Sequence, residues 1–173
     1  MGENGINFIE KLAVQKPLKG VLNCRVYRHE ATGEKRLIEV IEDNNLIVND
    51  ARDQMAHLIA GDTADRSIKQ IGFGLSSTEP TVDDTSLTNP FLKDVDGFEY
   101  PTVYKDSEGN EHPIFGGQVQ FNWSLALSEG NGKAIKEFGL FTKNGKLFAR
   151  RVRVSPINKE SDISLEGSWT IIF

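Results

Sequence analysis

Hydrophobic and polar positions alternate most regularly in the last third of the chain. Val119, Phe121, Trp123, Leu125 and Leu127 are interleaved with Gln120, Asn122, Ser124, Ala126 and Ser128. A period of two over about ten residues predicts a half-buried strand, longer than the usual five or six. Glu129-Gly130-Asn131-Gly132 then turns the chain, and Ile135 to Phe141 forms the next strand. Asn144-Gly145 predicts a type I′ hairpin, with Leu147 to Val154 as the returning strand. Ser168 to Phe173 alternates again and ends on an aromatic side chain, which predicts a terminus held in a sheet.

The earlier part is less regular. Residues 1–19 read as an arm or short helix, with Ile6, Ile9 and Ala13 near helical spacing, Phe8 and Leu12 beside them, and Pro17 as the stop. Its apolar residues either pack on their own domain or dock on a neighbouring subunit. That second reading makes Ile6, Phe8, Ile9 and Leu12 candidate partner contacts. Val21 to Arg28 and Leu37 to Ile41 flank an Ala31-Thr32-Gly33-Glu34 turn and predict a hairpin, and Asn44-Asn45 punctuates it before Leu46-Ile47-Val48.

Asp50 to Ala60 is the best helix candidate. Asn49 is its expected N-cap, Gly61 its stop, and Ala51, Met55, Leu58 and Ile59 its apolar stripe. Ile68 to Gly74 reads as a strand, and the Ser/Thr/Asp/Pro-rich stretch 75–90 as a long ordered surface loop. Short apolar pieces follow from Phe91 to Tyr104, then a second loop over 106–117. One helix and eight or more strands predict a mostly-β protein: an antiparallel β-sandwich with one helix packed on it. The expected organisation is an N-terminal arm, 1–19, and a single sandwich domain, 20–173.

Length and composition narrow the class. A chain of 173 residues corresponds to roughly one domain and buries about 70% of its unfolded surface. A net charge of −5 argues against direct nucleic-acid binding. No run approaches the ~20 apolar residues of a membrane span, so no membrane partner is expected. The first fourteen residues lack the pattern of a secretory signal, which predicts folding in a cytosol-like compartment. Cys24 cannot form an internal disulfide. Its run with Leu22 and Val26 suggests a small buried hydrophobe, with a reactive or intermolecular thiol as the alternative.

Candidate chemistry is sparse. His29, His57 and His112 share no metal-ligand spacing, and His57 falls on the polar side of its helix. Gly72-Phe73-Gly74 lacks the Lys and Ser/Thr of a phosphate loop, and no nucleophile elbow is present. Asp83-Asp84 and Asp94 with Asp96 read as solvated loop acids or, alternatively, as an incomplete calcium loop. No catalytic residue, cofactor or metal is therefore expected, and the protein is not expected to be an enzyme. The one basic cluster is Arg150, Arg151 and Arg153. Arg151 and Arg153 share a strand face, with Arg150 opposite beside Val152 and Val154. Arg151 and Arg153 either form a solvated or ion-paired face or grip carboxylates of a partner subunit.

Several ordered segments together resemble a family of tailed-bacteriophage virion proteins. Asn45 to Asp50 leads into the helix ending at Ala60-Gly61. Ile68, Ile71, Gly72 and Gly74 follow, then Thr78, Pro80, Asp84, Thr85 and Leu87. Ile135, Glu137, Gly139, Leu140 and Phe141 lead through a turn to Gly145, Leu147, Ala149 and Arg150. This hairpin is similar to one in the N-terminal attachment domains of phage tail-collar fibre proteins and in related small virion proteins. The Ser168 to Phe173 ending is similar too, so the resemblance covers roughly residues 45–173.

The resemblance implies a virion structural protein, made in the host bacterial cytoplasm. It would form a homo-oligomer at the tail, collar or baseplate and dock on other virion proteins. Capsid decoration is the alternative within that class, and burial of apolar surface and strand edges between subunits is the expected means. The chain reaches Phe173 with no fibre shaft or receptor-binding tip, which points to attachment or scaffolding. A carbohydrate-binding β-sandwich is the alternative of another class. It requires exposed aromatic platforms, whereas Trp123 and Trp169 lie on strand faces shared with core-type residues.

Overall fold

The computed structural model describes residues 18–114 and 116–173. Of the predicted N-terminal arm, residues 1–17 lie outside the described part, Ile6, Phe8, Ile9 and Leu12 among them. The described chain is mostly β and antiparallel, with one short helix. In order it forms β1 (Lys19–His29), β2 (Lys35–Ile47), α1 (Asn49–Ile59), β3 (Ile68–Gly74), β4 (Phe91–Asp94) and β5 (Gly97–Glu99). These are followed by β6 (Val103–Lys105), β7 (Glu111–Pro113), β8 (Gln118–Leu125), β9 (Lys133–Thr142), β10 (Leu147–Lys159) and β11 (Ile163–Ile172).

Nine strands make one sheet in the order β4-β3-β9-β10-β2-β1-β11-β8-β5, and β6 with β7 form a separate ribbon. The two separate sheets expected of a sandwich are therefore one curled sheet. The reason lies in β2. Its residues 35–45 pair with β1, whereas Leu46 and Ile47 pair with Arg150 and Ala149 of β10. Asn44-Asn45 accordingly lies inside a continuous strand, at the point where the partner changes, and does not break it.

The curl brings distant strands face to face. Phe73 of β3 meets Trp123 of β8 edge-on at 5.5 Å between ring centroids, and Phe138 of β9 lies 5.7 Å from Phe73. Edge-to-face aromatic pairs each contribute about 0.5–1.5 kcal/mol beyond their buried area. Around them Leu22, Cys24, Val26, Leu140, Leu165, Trp169 and Ile171 complete one apolar core. Gly167 sits opposite Trp123 in register, and a Cβ there would fall 2.3 Å from the indole. The absence of a side chain at 167 is what gives the ring its place.

The two edge strands, β4 and β5, are consecutive in sequence and joined by Val95 and Asp96 alone. The Val95 amide donates to Lys69 next to β3's start, and the Asp96 amide to Asn122 of β8. One short segment thus blunts both ends of the sheet, a common protection against unwanted pairing.

Local signals were met with differences. The helix begins beside Val48, which makes no side-chain cap, and Asn49 instead donates to Asp83 of the following loop. On α1, Ala51 is buried but Ile59 is exposed, while Gln54 is buried and bonded to Arg66 and Asn144. The β9–β10 hairpin forms, but only Gly145 adopts positive φ and Asn144 does not, so the turn is not type I′. Strand β11 stops at Ile172, leaving Phe173 largely exposed with its amide bonded to the Gly117 carbonyl.

Candidate functional site

The chemistry of this fold is concentrated on the outer face of β3, β9 and β10, beneath the 75–90 loop. Alternation along β9 turns Phe138 and Leu140 into the main core, so Glu137 and Gly139 point the other way. Arg150 of β10 reaches the same face. Its Nε donates to Glu137 Oε2 at 2.9 Å, with Nη2 2.8 Å from the same oxygen. Nη1 donates to Asp84 at 2.6 Å and Nη2 to the Thr78 carbonyl at 3.2 Å. Glu137 is 0% exposed. Its second oxygen accepts the backbone amides of Ser76, at 3.0 Å, and Thr88, at 2.7 Å.

The carboxylate thus grips both ends of the loop while the guanidinium holds its middle. Burial opposes ionisation of Asp84. The Thr81 amide and hydroxyl and the Arg150 guanidinium nevertheless hold its carboxyl below the ordinary aspartate range. Burial likewise disfavours charge on Arg150, and the facing Asp84 and Glu137 outweigh it. This is a buried charge cluster with its hydrogen bonds made, as burial of charge requires.

Beside the charges lies a second, smaller apolar cluster of Val48, Leu87, Phe141 and Leu147. Gly72 and Gly139 face one another across β3 and β9, and a Cβ on either would come within 3.0 Å of a Leu87 methyl. A Cβ at Gly74 would fall 2.5 Å from Glu137 Oε1. The three glycines clear the sheet surface so that Leu87 and the Glu137 carboxylate lie flat against backbone. The arrangement clamps a loop. It places no nucleophile or paired acid and base where a substrate can reach them.

Arg151 and Arg153 lie elsewhere. Beyond its two-residue pairing with β10, β2 has no strand on its outer side along residues 35–43, because β10 shifts register between Val152 and Ile157. Across that gap Arg151 pairs with Asp43 at 2.9 Å and Arg153 with Glu39 at 2.7 Å. Arg153 is largely buried, and Arg151 Nε and Arg153 Nη1 are buried without a hydrogen-bond partner. Both guanidiniums are thus engaged within the chain, strapping the two halves of the sheet.

Other candidates are absorbed by structure. Burial pushes the Cys24 thiol up to about 12, so it is not poised to react. Among the described residues no three His, Cys, Asp or Glu side chains cluster to hold a metal. Asp94 instead pairs with Lys69 at 2.7 Å. His57 and His112 bond to Asp62 and Asp106 at the surface. Both tryptophans are buried and offer no platform for a sugar.

Sequence reasoning placed Arg150 with Val152 and Val154 on a strand face and left Glu137 and Asp84 unremarked as a pair. The signal was available: Glu137, Arg150, Asp84, Leu87, Gly72, Gly74 and Gly139 all lie in the segments that resemble the phage proteins. Comparison with family models, with characterised proteins and with solved structures finds no match to this chain.

Proposed function

We propose that the protein is a non-enzymatic structural component of a tailed-phage virion. It assembles as a homo-oligomer at the tail, collar or baseplate and docks on other virion proteins. In this reading the curled sheet is a β-sandwich whose two leaves share β2. The observation that carries the proposal is convergence. Asp84 and Leu87 of one motif, Gly72 and Gly74 of another, and Glu137, Gly139 and Arg150 of the hairpin motif meet in one buried clamp. Residues scattered from Gly72 to Arg150 are required together by a single contact set. A resemblance spread over the same positions is then one structural feature, not a sum of weak ones.

The fold supports assembly in a specific place. With both sheet ends blunted, the edge of β2 at residues 35–43 is the long one left open to a partner strand. Arg151 and Arg153 lie beside it, so a partner carboxylate there would compete with Asp43 and Glu39 for the guanidinium forks. The test is the mass of the purified protein in solution, followed by labelling of intact particles. A defined oligomer present in particles in fixed copy number is expected; a strict monomer absent from particles overturns the proposal. Substitution of Arg151, the more exposed of the two, by Gln is expected to weaken oligomer formation, with circular dichroism used to check that the subunit stays folded.

A further inference from the structure

A groove of about 480 Å³ opens between α1 and the start of β8. Met55 and Leu58 form one wall, Val119 and Phe121 another, and Phe98 and Phe173 the rim. Large apolar side chains stand exposed around it: Tyr100 at 71%, Phe173 at 65% and Phe98 at 61%. Apolar side chains exposed singly are ordinary, but a cluster around a concave wall marks a contact surface.

The chain itself points to the occupant. Lys19, the first residue of β1, pairs with Ile172, and the next residue, Phe173, bonds to Gly117. Leu18 already packs against the main core. Leu18 and Lys19 therefore enter the sheet at the end where Gly117 and Phe173 line the groove. The segment before them carries Ile6, Phe8, Ile9, Leu12 and Ala13 at near-helical spacing. The six residues from Leu12 to Leu18 span at most about 20 Å when extended, so these side chains are within reach of the groove. A tether this short gives an effective concentration on the order of millimolar, above what a free copy in dilute solution supplies.

We propose that the groove is the docking site for the apolar face of residues 6–13 of the same chain. Sequence alone left open whether this segment packs on its own domain or on a neighbour. The groove, its exposed rim and the entry point of β1 select the first. The proposal does not depend on the virion reading.

The test uses the full chain, in which buried Cys24 is a poor competitor for disulfide formation. The pairs Leu12→Cys with Phe98→Cys and Ile9→Cys with Tyr100→Cys are oxidised at low protein concentration. The control pair is Leu12→Cys with Ser161→Cys, in the turn before β11. At least one groove pair is expected to form an intrachain disulfide, mapped by peptide mass, at ten or more times the control rate. Two results overturn the proposal. One is disulfide-linked dimers as the main product, which would assign the groove to a second copy. The other is both groove pairs reacting no faster than the control.

Discussion

The clamp over β9 and the groove beside β8 are both places where the sheet surface meets another segment, yet they are built by opposite means. Under the clamp every formal charge has a partner at 2.6–2.9 Å, and glycine removes the side chains that would stand in the way. At the groove the polar groups are few and large apolar side chains project into solvent around the rim. Directional bonds fix one loop in one place, because any displacement strands a buried charge. Apolar contact is non-directional and tolerates exchange of what covers it. The clamp is thus suited to holding shape and the groove to receiving a segment.

The largest expected effect tests the clamp. Glu137→Ala leaves the Arg150 guanidinium buried without its main counter-charge and orphans the Ser76 and Thr88 amides. Breaking one side of such a pair costs about 3–5 kcal/mol, read as a fall in the denaturation midpoint at neutral pH. Replacing Glu137 and Arg150 together by apolar residues should not restore stability, because the two loop amides remain unpaired. Full recovery by the double variant would show that the loop is held by packing alone.

Leu87→Ala comes next. It removes the side chain seated over Gly72 and Gly139 and should cost about 2–5 kcal/mol, according to how far the loop collapses. Substitution of the groove-rim residue Phe98 by Ser removes apolar contact with Phe121 and Tyr100 but strands no buried charge, so it should cost less than Leu87→Ala. Equal losses at Leu87 and Phe98 in thermal melts would erase the contrast between the two regions.

Much of the fold could be read from periodicity, and the reasons for the misses are physical. Strand β8 shows clean alternation because one face meets the core and the other lies toward solvent, whereas β9 is buried on both faces from Glu137 to Thr142 beneath the 75–90 loop. The single sheet was invisible because β2 reads as one strand whether it pairs once or changes partner at Asn45. Asn144-Gly145 suggested a type I′ turn, but Thr142 bonds to the Asn144 side chain and to Lys146, and only Gly145 turns left-handed. The clamp residues belong to recognisable sequence patterns, yet their contact runs across three non-adjacent segments, and no local period reports such a meeting. Arg151 and Arg153 read as either a solvated or ion-paired strand face or a grip on a partner's carboxylates, and the structure pairs them with Asp43 and Glu39. Their pairing to β2 depends on a bulge near Pro156 that alternation does not encode.

Acid separates the regions further. Asp84 has its pKa lowered in the folded state from an ordinary 3.8. Its contribution is therefore complete above that value and is lost as pH falls through the depressed one. Asp84→Asn should lower stability at neutral pH by about 1–3 kcal/mol and flatten the acid limb of the stability curve. An unchanged acid limb would mean that Asp84 is not what couples the clamp to pH.

The smallest effect belongs to the β6–β7 ribbon, which follows the groove-rim residue Tyr100. Its turn is organised by Asp106, which accepts from His112 at 2.7 Å and from the amides of Glu108 and Asn110. The His112 bond and the Asn110 amide together bring the Asp106 carboxyl from 3.8 down to about 2. The sign matches that of Asp84: the turn is supported above pH 3.8 and released between there and about 2. Because this carboxylate is only half-buried and its bonds are local, the loss should stay in the ribbon. Amide resonances of Glu108 and Asn110 should titrate with a midpoint near 2, while resonances of Ser76 and Thr88 under the clamp do not follow that transition. A single shared midpoint for both pairs would mean that the ribbon and the clamp unfold as one unit, and the groove end would then be as firmly built as the face beneath the loop.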